Sequence, residues 1–285
     1  MPDESAFLNH REYHWPSSDG LMLFAQHWMP EDKPRAIINL VHGFKDHSGR
    51  YSVWAQKLNR EGFGVIAVDL RGHGRSEGRR GYADRFDRYL QDTHVMYIRS
   101  HELFGDIPHF LYGQSLGGNI VTNYLITESN MPAAAIITSP WFTLAFKPAL
   151  FTQMTASILR YILPGILVKS DLDPNGLSHD PKIVEDYLKD PLVHNKISPR
   201  LYFAIEDYGL KASRNIYKIN VPLLVMHGSA DPITSCKQTR SFVMNAGNLT
   251  SYKEWPGGYH ELHNDTMADD VFRFLVDWLN KQVSH

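Results

Sequence analysis

Cysteine is almost absent. Cys236 is the only one in 285 residues, so the chain has no internal disulfide. This fits a reducing compartment and a cytoplasmic protein, although secreted proteins without disulfides also exist. An excess of charge is missing too. Twenty-nine Lys and Arg face 31 Asp and Glu, for a formal charge of −2, which gives no support for nucleic-acid binding. No stretch reaches the roughly 18 uninterrupted apolar residues of a spanning helix. The nearest, Phe146 to Lys169, is broken by Pro148, Arg160, Pro164 and Gly165. The start, Met1-Pro2-Asp3-Glu4-Ser5, lacks the basic residues and apolar run of a signal peptide. Repeats and low-complexity segments are lacking as well. What is present is a composition with 43% hydrophobic and 21% charged residues, ordinary for a globular protein. The length suits one α/β domain with an inserted piece.

The hydrophobic pattern alternates between two periods. Two strands, Arg11–Pro16 and Leu21–Trp28, flank the turn signal Ser17-Ser18-Asp19-Gly20. Strands are then expected at Ala36–Val41, Val65–Asp69, His109–Gly113, Ala133–Ser139, Pro222–His227 and Thr250–Trp255. Helical spacing marks Tyr51–Glu61, Arg85–Phe104, Leu116–Glu128, Thr234–Asn245 and Asp265–Lys281. Strands alternating with helices predict a mostly parallel central sheet with helices on both faces. From about Trp141 to Asn220 the alternation stops. Ala149–Leu163 has helical spacing, and Asp180-Pro181 and Ser198-Pro199 each start a further helix, with no convincing strand. The expected organisation is therefore a core of residues 1–140 and 221–285, with residues 141–220 an inserted helical cap over the carboxyl ends of the strands.

The sharpest motif is Gly113-Gln114-Ser115-Leu116-Gly117, directly after a strand and before a helix. The bare pattern arises by chance in roughly one chain in ten of this length, so its placement carries the weight. A strand-to-helix turn of this kind exposes a strained nucleophilic serine, and the flanking glycines leave room for neighbouring backbone. It is the nucleophile elbow of the α/β-hydrolase fold, in which the acid and then the histidine follow along the chain. Asp231, in Gly228-Ser229-Ala230-Asp231 after an apolar strand, is the acid candidate; alone it would read as a helix cap. The base lies in Gly257-Gly258-Tyr259-His260-Glu261-Leu262-His263, where His260 and His263 compete. The two glycines turn the chain sharply just before His260, which favours that residue. His-Glu-Leu-His has the wrong spacing for two zinc ligands on a helix. His42-Gly43-Phe44 follows another apolar strand. Its Phe44 N–H and the Leu116 N–H are the expected oxyanion donors.

Taken together, His42-Gly-Phe-Lys-Asp-His-Ser-Gly-Arg50-Tyr51, Asp69-Leu-Arg-Gly-His-Gly-Arg-Ser76, Gly113-Gln-Ser-Leu-Gly-Gly118, Asp190-Pro-Leu192, Gly228-Ser-Ala-Asp231 and Tyr259-His-Glu-Leu-His263 resemble the monoacylglycerol lipase and lysophospholipase-like group of α/β hydrolases. The likeness runs through nearly the whole chain. It implies the triad Ser115, Asp231 and His260, the donors Phe44 and Leu116, and neither cofactor nor metal. It also implies an alcohol-side pocket from Asp46, Arg50, Tyr187 and His263. Asp46 stands where the family often has Glu, and Gln114 where it often has His. Asp69, Arg71 and Ser76 are read as a structural loop.

The expected function is hydrolysis of carboxylic esters, monoacylglycerols foremost, through a Ser-His-Asp acyl-enzyme. A lysophospholipase, thioesterase or peptidase would use the same triad. A haloalkane dehalogenase would need Asp in place of Ser115, and a non-catalytic binding protein would have lost part of this set. The expected partner is a small lipid ester. Phe151, Met154 and Ile158 on the cap either form an exposed stripe for peripheral contact with lipid or pack onto the main domain.

Overall fold

The computed structural model describes residues 9–129, 131–146, 150–170 and 172–283, without the side chains of 150–153. Met1–Ser5, Ala149, and the side chains of Leu150 and Phe151 lie outside the described residues. The chain opens with β1 (His10–Pro16) and β2 (Met22–Trp28), then β3 (Ala36–Val41), α1 (Ser52–Arg60), β4 (Phe63–Val68), α2 (Asp87–Phe104), β5 (His109–Gln114), α3 (Leu116–Thr127) and β6 (Ala134–Thr138). After the segment that follows β6 come β9 (Leu223–Gly228), α7 (Cys236–Met244), β10 (Thr250–Trp255) and α8 (Ala268–Val283). One eight-stranded sheet runs in the order β1-β2-β4-β3-β5-β6-β9-β10. The β1–β2 and β2–β4 pairs are antiparallel, and the others are parallel.

The central strands are buried on both faces, and period-two alternation sorts their side chains. Ile37, Val41, Leu111, Ile137 and Val225 pack with α2, α3 and α7. Ile38, Leu40, Tyr112, Ile136 and Met226 pack with α1 and α8. Such continuous apolar strands belong to a parallel sheet covered on both sides.

Between β6 and β9 lie α4 (Leu150–Ile162), α5 (Pro181–Lys189) and α6 (Pro199–Asn215), together with a 3-10 turn at Pro174–Gly176. Asp180 and Ser198 cap α5 and α6 through their side chains, and each helix has Pro in its first turn. The segment is not purely helical. β7 (Val168–Lys169) and β8 (Lys196–Ile197) pair antiparallel. Two-residue strands carry no periodicity, which is why the sequence pattern misses them. Helix α6 rests on α3 and on the loop after β6: the Asn119 amide donates to the Ile205 carbonyl, and a Cβ on Gly209 would lie 2.0 Å from the Phe142 carbonyl oxygen. Among the described residues, no helix is long and apolar enough to cross a membrane.

Candidate active site

Four loops leave the carboxyl ends of β3, β5, β9 and β10 and meet above the sheet. Ser115 sits between β5 and α3 with φ 54° and ψ −116°, a left-handed backbone that costs a non-glycine residue about 1–3 kcal/mol. The turn is over-determined. Ser115 N donates to the Thr138 carbonyl at 2.9 Å, and Trp141 N donates to the Ser115 carbonyl at 2.9 Å. The flanking glycines are sterically required. A Cβ on Gly113 would lie 2.3 Å from the Gly117 carbonyl oxygen, and one on Gly117 would lie 2.0 Å from that of Val41.

Asp231 and His260 meet through a buried hydrogen bond. The His260 Nδ1–H donates to Asp231 Oδ2 at 2.8 Å, so its Nε2 carries the free lone pair. Asp231 also accepts from Ile233 N at 2.8 Å, Thr234 N at 3.0 Å, the Thr234 hydroxyl at 2.8 Å and His227 Nε2 at 3.1 Å. Burial alone would raise this carboxyl, but its imidazole partners hold it well below the usual carboxylate range. Burial lowers the His260 imidazole, and Asp231 more than offsets this, so its pKa is raised. Ser115 and His260 line one cavity of about 20 Å³ with Phe44, Asp46, Tyr187, Ile233 and Glu261. That volume holds about one water molecule.

The turn after β3 is braced from both sides. His42 Nδ1–H donates to the Gly43 carbonyl at 2.7 Å, and its Nε2 accepts from Leu70 N at 2.9 Å. Lys45 has φ 61°. Gly43 lies against the elbow, since a Cβ there would be 3.1 Å from Ser115 Cβ. Leu116 opens α3, so its N–H has no acceptor within the helix and is free for an oxyanion.

The residues expected on the alcohol side occupy two layers. Asp46 and Tyr187 line the cavity. Arg50 is buried behind them, donating to Asp46 and, through two bonds of 2.7 Å, to Glu261. The Arg50 guanidinium lies 4.8 Å from the Tyr187 ring centroid. His263 stacks on Tyr51 at 4.7 Å, and burial pushes its pKa down to about 4. Sequence reasoning missed Glu261, His227 and Thr234. Thr234 stands three residues after Asp231, a capping spacing that could have drawn notice, whereas nothing in the sequence links Glu261 to Arg50. Asp69, Arg71 and Ser76 form a brace beside the site: Asp69 accepts from Ser48 N and Arg75 N, and Arg71 pairs with Asp19 and Asp92. Among the described residues, no group of three or more His, Cys, Asp or Glu is placed to hold a metal ion.

The comparisons agree with this architecture. The Hydrolase_4 family, described as serine aminopeptidase, S33, matches residues 32–267. An uncharacterized abhydrolase domain-containing protein of Dictyostelium discoideum is 30% identical over 276 residues, covering 94% of this chain and 29% of that longer protein. The monoacylglycerol lipase of Mycolicibacterium smegmatis is 29% identical over 276 residues, 96% of this chain and 97% of the relative. A crystal structure of Paleococcus ferrophilus monoacylglycerol lipase superposes with a TM-score of 0.81 at 33% identity, covering 91% of this chain and 99% of that one. With an elbow serine, a buried Asp-His pair and a family match over most of its length, the chain belongs to the Hydrolase_4 family of α/β hydrolases.

Proposed function

We propose that the protein is a serine hydrolase that cleaves monoacylglycerols to fatty acid and glycerol. The carrying observation is that Ser115 and the Asp231-bonded His260 line one cavity. In this reading His260 takes the Ser115 proton as the oxygen attacks the ester carbonyl, and the Phe44 and Leu116 N–H groups hold the oxyanion. The proton passes to the leaving alcohol, and water repeats the cycle on the acyl-enzyme. Similarity to monoacylglycerol lipases supports the substrate.

Residues 141–220 act as a cap in this proposal. The acyl chain would enter between the Leu172–Leu177 segment and the Phe44–Asp46 turn, which face each other across the cavity. Met154, Ile158 and Tyr161 are 60%, 58% and 72% exposed, which suits a cytoplasmic enzyme that meets lipid through this face. The test is a panel of monoacylglycerols, triacylglycerols, lysophospholipids, p-nitrophenyl esters and aminoacyl amides, run with the Ser115→Ala variant. Monoacylglycerols should lead, and Ser115→Ala should lose both turnover and fluorophosphonate labelling. Aminoacyl amides as the best substrates would reverse the proposal.

A further inference from the structure

The proposed chemistry needs two loops that the sheet does not hold together. The Gly43–Asp46 turn follows β3 and the His260 loop follows β10, with three strands between them in the sheet order. Arg50 spans the gap. Its Nη1 donates to Asp46 Oδ1 at 2.9 Å and to Glu261 Oε1 at 2.7 Å, and its Nη2 donates to Glu261 Oε2 at 2.7 Å. Asp46 in turn closes the turn, accepting from His47 N at 2.8 Å, the Tyr51 hydroxyl at 2.8 Å and Gly43 N at 3.4 Å. Glu261 directly follows His260 in the chain. The Arg50, Asp46 and Glu261 side chains are only 10%, 4% and 3% exposed.

We propose that the Asp46–Arg50–Glu261 bridge is a positioning device that fixes the oxyanion turn relative to His260, and that Arg50 acts through it rather than by gripping the leaving alcohol. The inference rests on the reading of Ser115 and His260 given above. Its physical basis is the state of the guanidinium. Three charge-assisted bonds to two buried carboxylates hold its planar fork, and a neutral hydroxyl competes poorly for such a donor. Glu261 organises a further neighbour. It accepts from Asn264 Nδ2 at 2.7 Å, which makes that nitrogen the donor toward His263 Nε2 at 3.2 Å. The His263 proton therefore sits on Nδ1, which has no partner.

The bridge also surrounds His260 with charge. Asp231, Glu261 and Asp46 favour its imidazolium, while Arg50, His227 and His263 complete the groups facing the cluster. Replacing Glu261 by Gln removes one favourable charge and leaves Arg50 paired with Asp46 alone. The His260 pKa then falls, and the acid limb of kcat/KM moves to lower pH.

The experiment compares p-nitrophenyl butyrate, which has no glycerol, with monobutyrin. The proteins are wild type, Glu261→Gln, and the double variant Arg50→Gln with Glu261→Gln. The double variant keeps the net charge of the wild-type cluster, with Asp46 still held by the His47 N–H and the Tyr51 hydroxyl, and is read if the single one does not fold. The bridge predicts that Glu261→Gln loses at least about tenfold in kcat on both esters, with KM little changed and the acid limb shifted down. The double variant should show the same loss in kcat while its acid limb returns toward the wild-type position. Normal kcat on p-nitrophenyl butyrate in a folded variant, with KM raised on monobutyrin alone, would overturn the bridge in favour of alcohol binding. A wild type that hydrolyses neither ester and takes no fluorophosphonate would instead overturn the underlying catalytic reading, and the bridge with it.

Discussion

Asp231 Oδ2 is shared by two imidazoles: His260 Nδ1 donates to it at 2.8 Å and His227 Nε2 at 3.1 Å, with the Thr234 hydroxyl as a third donor at 2.8 Å. A carboxylate held by this many donors stays ionised and fixed, which is what an orienting acid requires. Asp231→Asn presents a neutral amide to His260 and disturbs the tautomer that leaves Nε2 free. The expected loss in kcat is about 10⁴ on any ester, with the acid limb of kcat/KM displaced downward as the His260 pKa falls. Rates with p-nitrophenyl butyrate across pH measure both; a loss below tenfold would point to a different acid.

Two glycines near the elbow should fail in different ways. A Cβ on Gly117 meets the Val41 backbone oxygen at 2.0 Å, and backbone in the middle of a sheet has nowhere to go. Gly117→Ala should lower stability by about 1–3 kcal/mol or more, seen as a drop in Tm or insoluble protein. On Gly43 the nearest atom is the flexible Gln114 Oε1 at 2.5 Å, followed by Ser115 Cβ at 3.1 Å. Gly43→Ala should fold near the wild-type Tm but lose about 10² in kcat through displacement of the serine or the turn. Equal Tm for both variants would contradict this contrast.

Most of this architecture was legible in the sequence because the signals were local and redundant. Strand Ala36–Val41 appears with the expected boundaries because it is apolar throughout and ends at His42-Gly43. Helix α8 begins at Ala268 rather than near Asp265, since Asp265 is drawn into bonds with Tyr259 N, His179 N and Thr266 N. The β7–β8 ladder left no trace, being two residues long on each side. In the site, strand-loop placement brought Ser115, Asp231 and His260 together. The Arg50–Glu261 pair spans 211 positions, and neither residue's neighbours hint at the other. Buried ion pairs of this kind are properties of the fold, not of any segment.

The exposed face of α4 and the residues after it can be tested apart from catalysis. Met154 and Ile158 lie outward, and Arg160 stands over the Tyr161 and Phe203 rings. Replacing Met154 and Ile158 by Asp should weaken sedimentation with phosphatidylcholine vesicles and slow hydrolysis of long-chain monoacylglycerol. Turnover of soluble p-nitrophenyl butyrate should be spared. Vesicle binding unchanged by these two added charges would remove this face from consideration.

The last expectation concerns acid stability. Burial pushes His27, His109, His194 and His263 each down to about 4, from an ordinary value near 6.5. Below pH 6.5 the unfolded chain protonates these imidazoles while the folded chain keeps them neutral. The unfolded state then binds more protons, so stability present above pH 6.5 is lost as pH falls toward 4. His260 has the opposite sign. Its raised folded pKa gives stability below 6.5 that is lost as pH rises through the folded value, so it does not relieve the acid loss. Asp231, Asp46 and Glu261 have lowered values and add their own loss only near the carboxylate range. Asp92 and Glu206, both raised by burial, lean the other way there. The histidine contribution is therefore read between pH 6.5 and 5. Calorimetric Tm should fall through that window, and His263→Asn, which cannot titrate, should flatten the slope whatever it does to the Tm itself. A wild-type Tm that stays level from pH 6.5 to 5 would mean that these imidazoles are not held neutral by the fold.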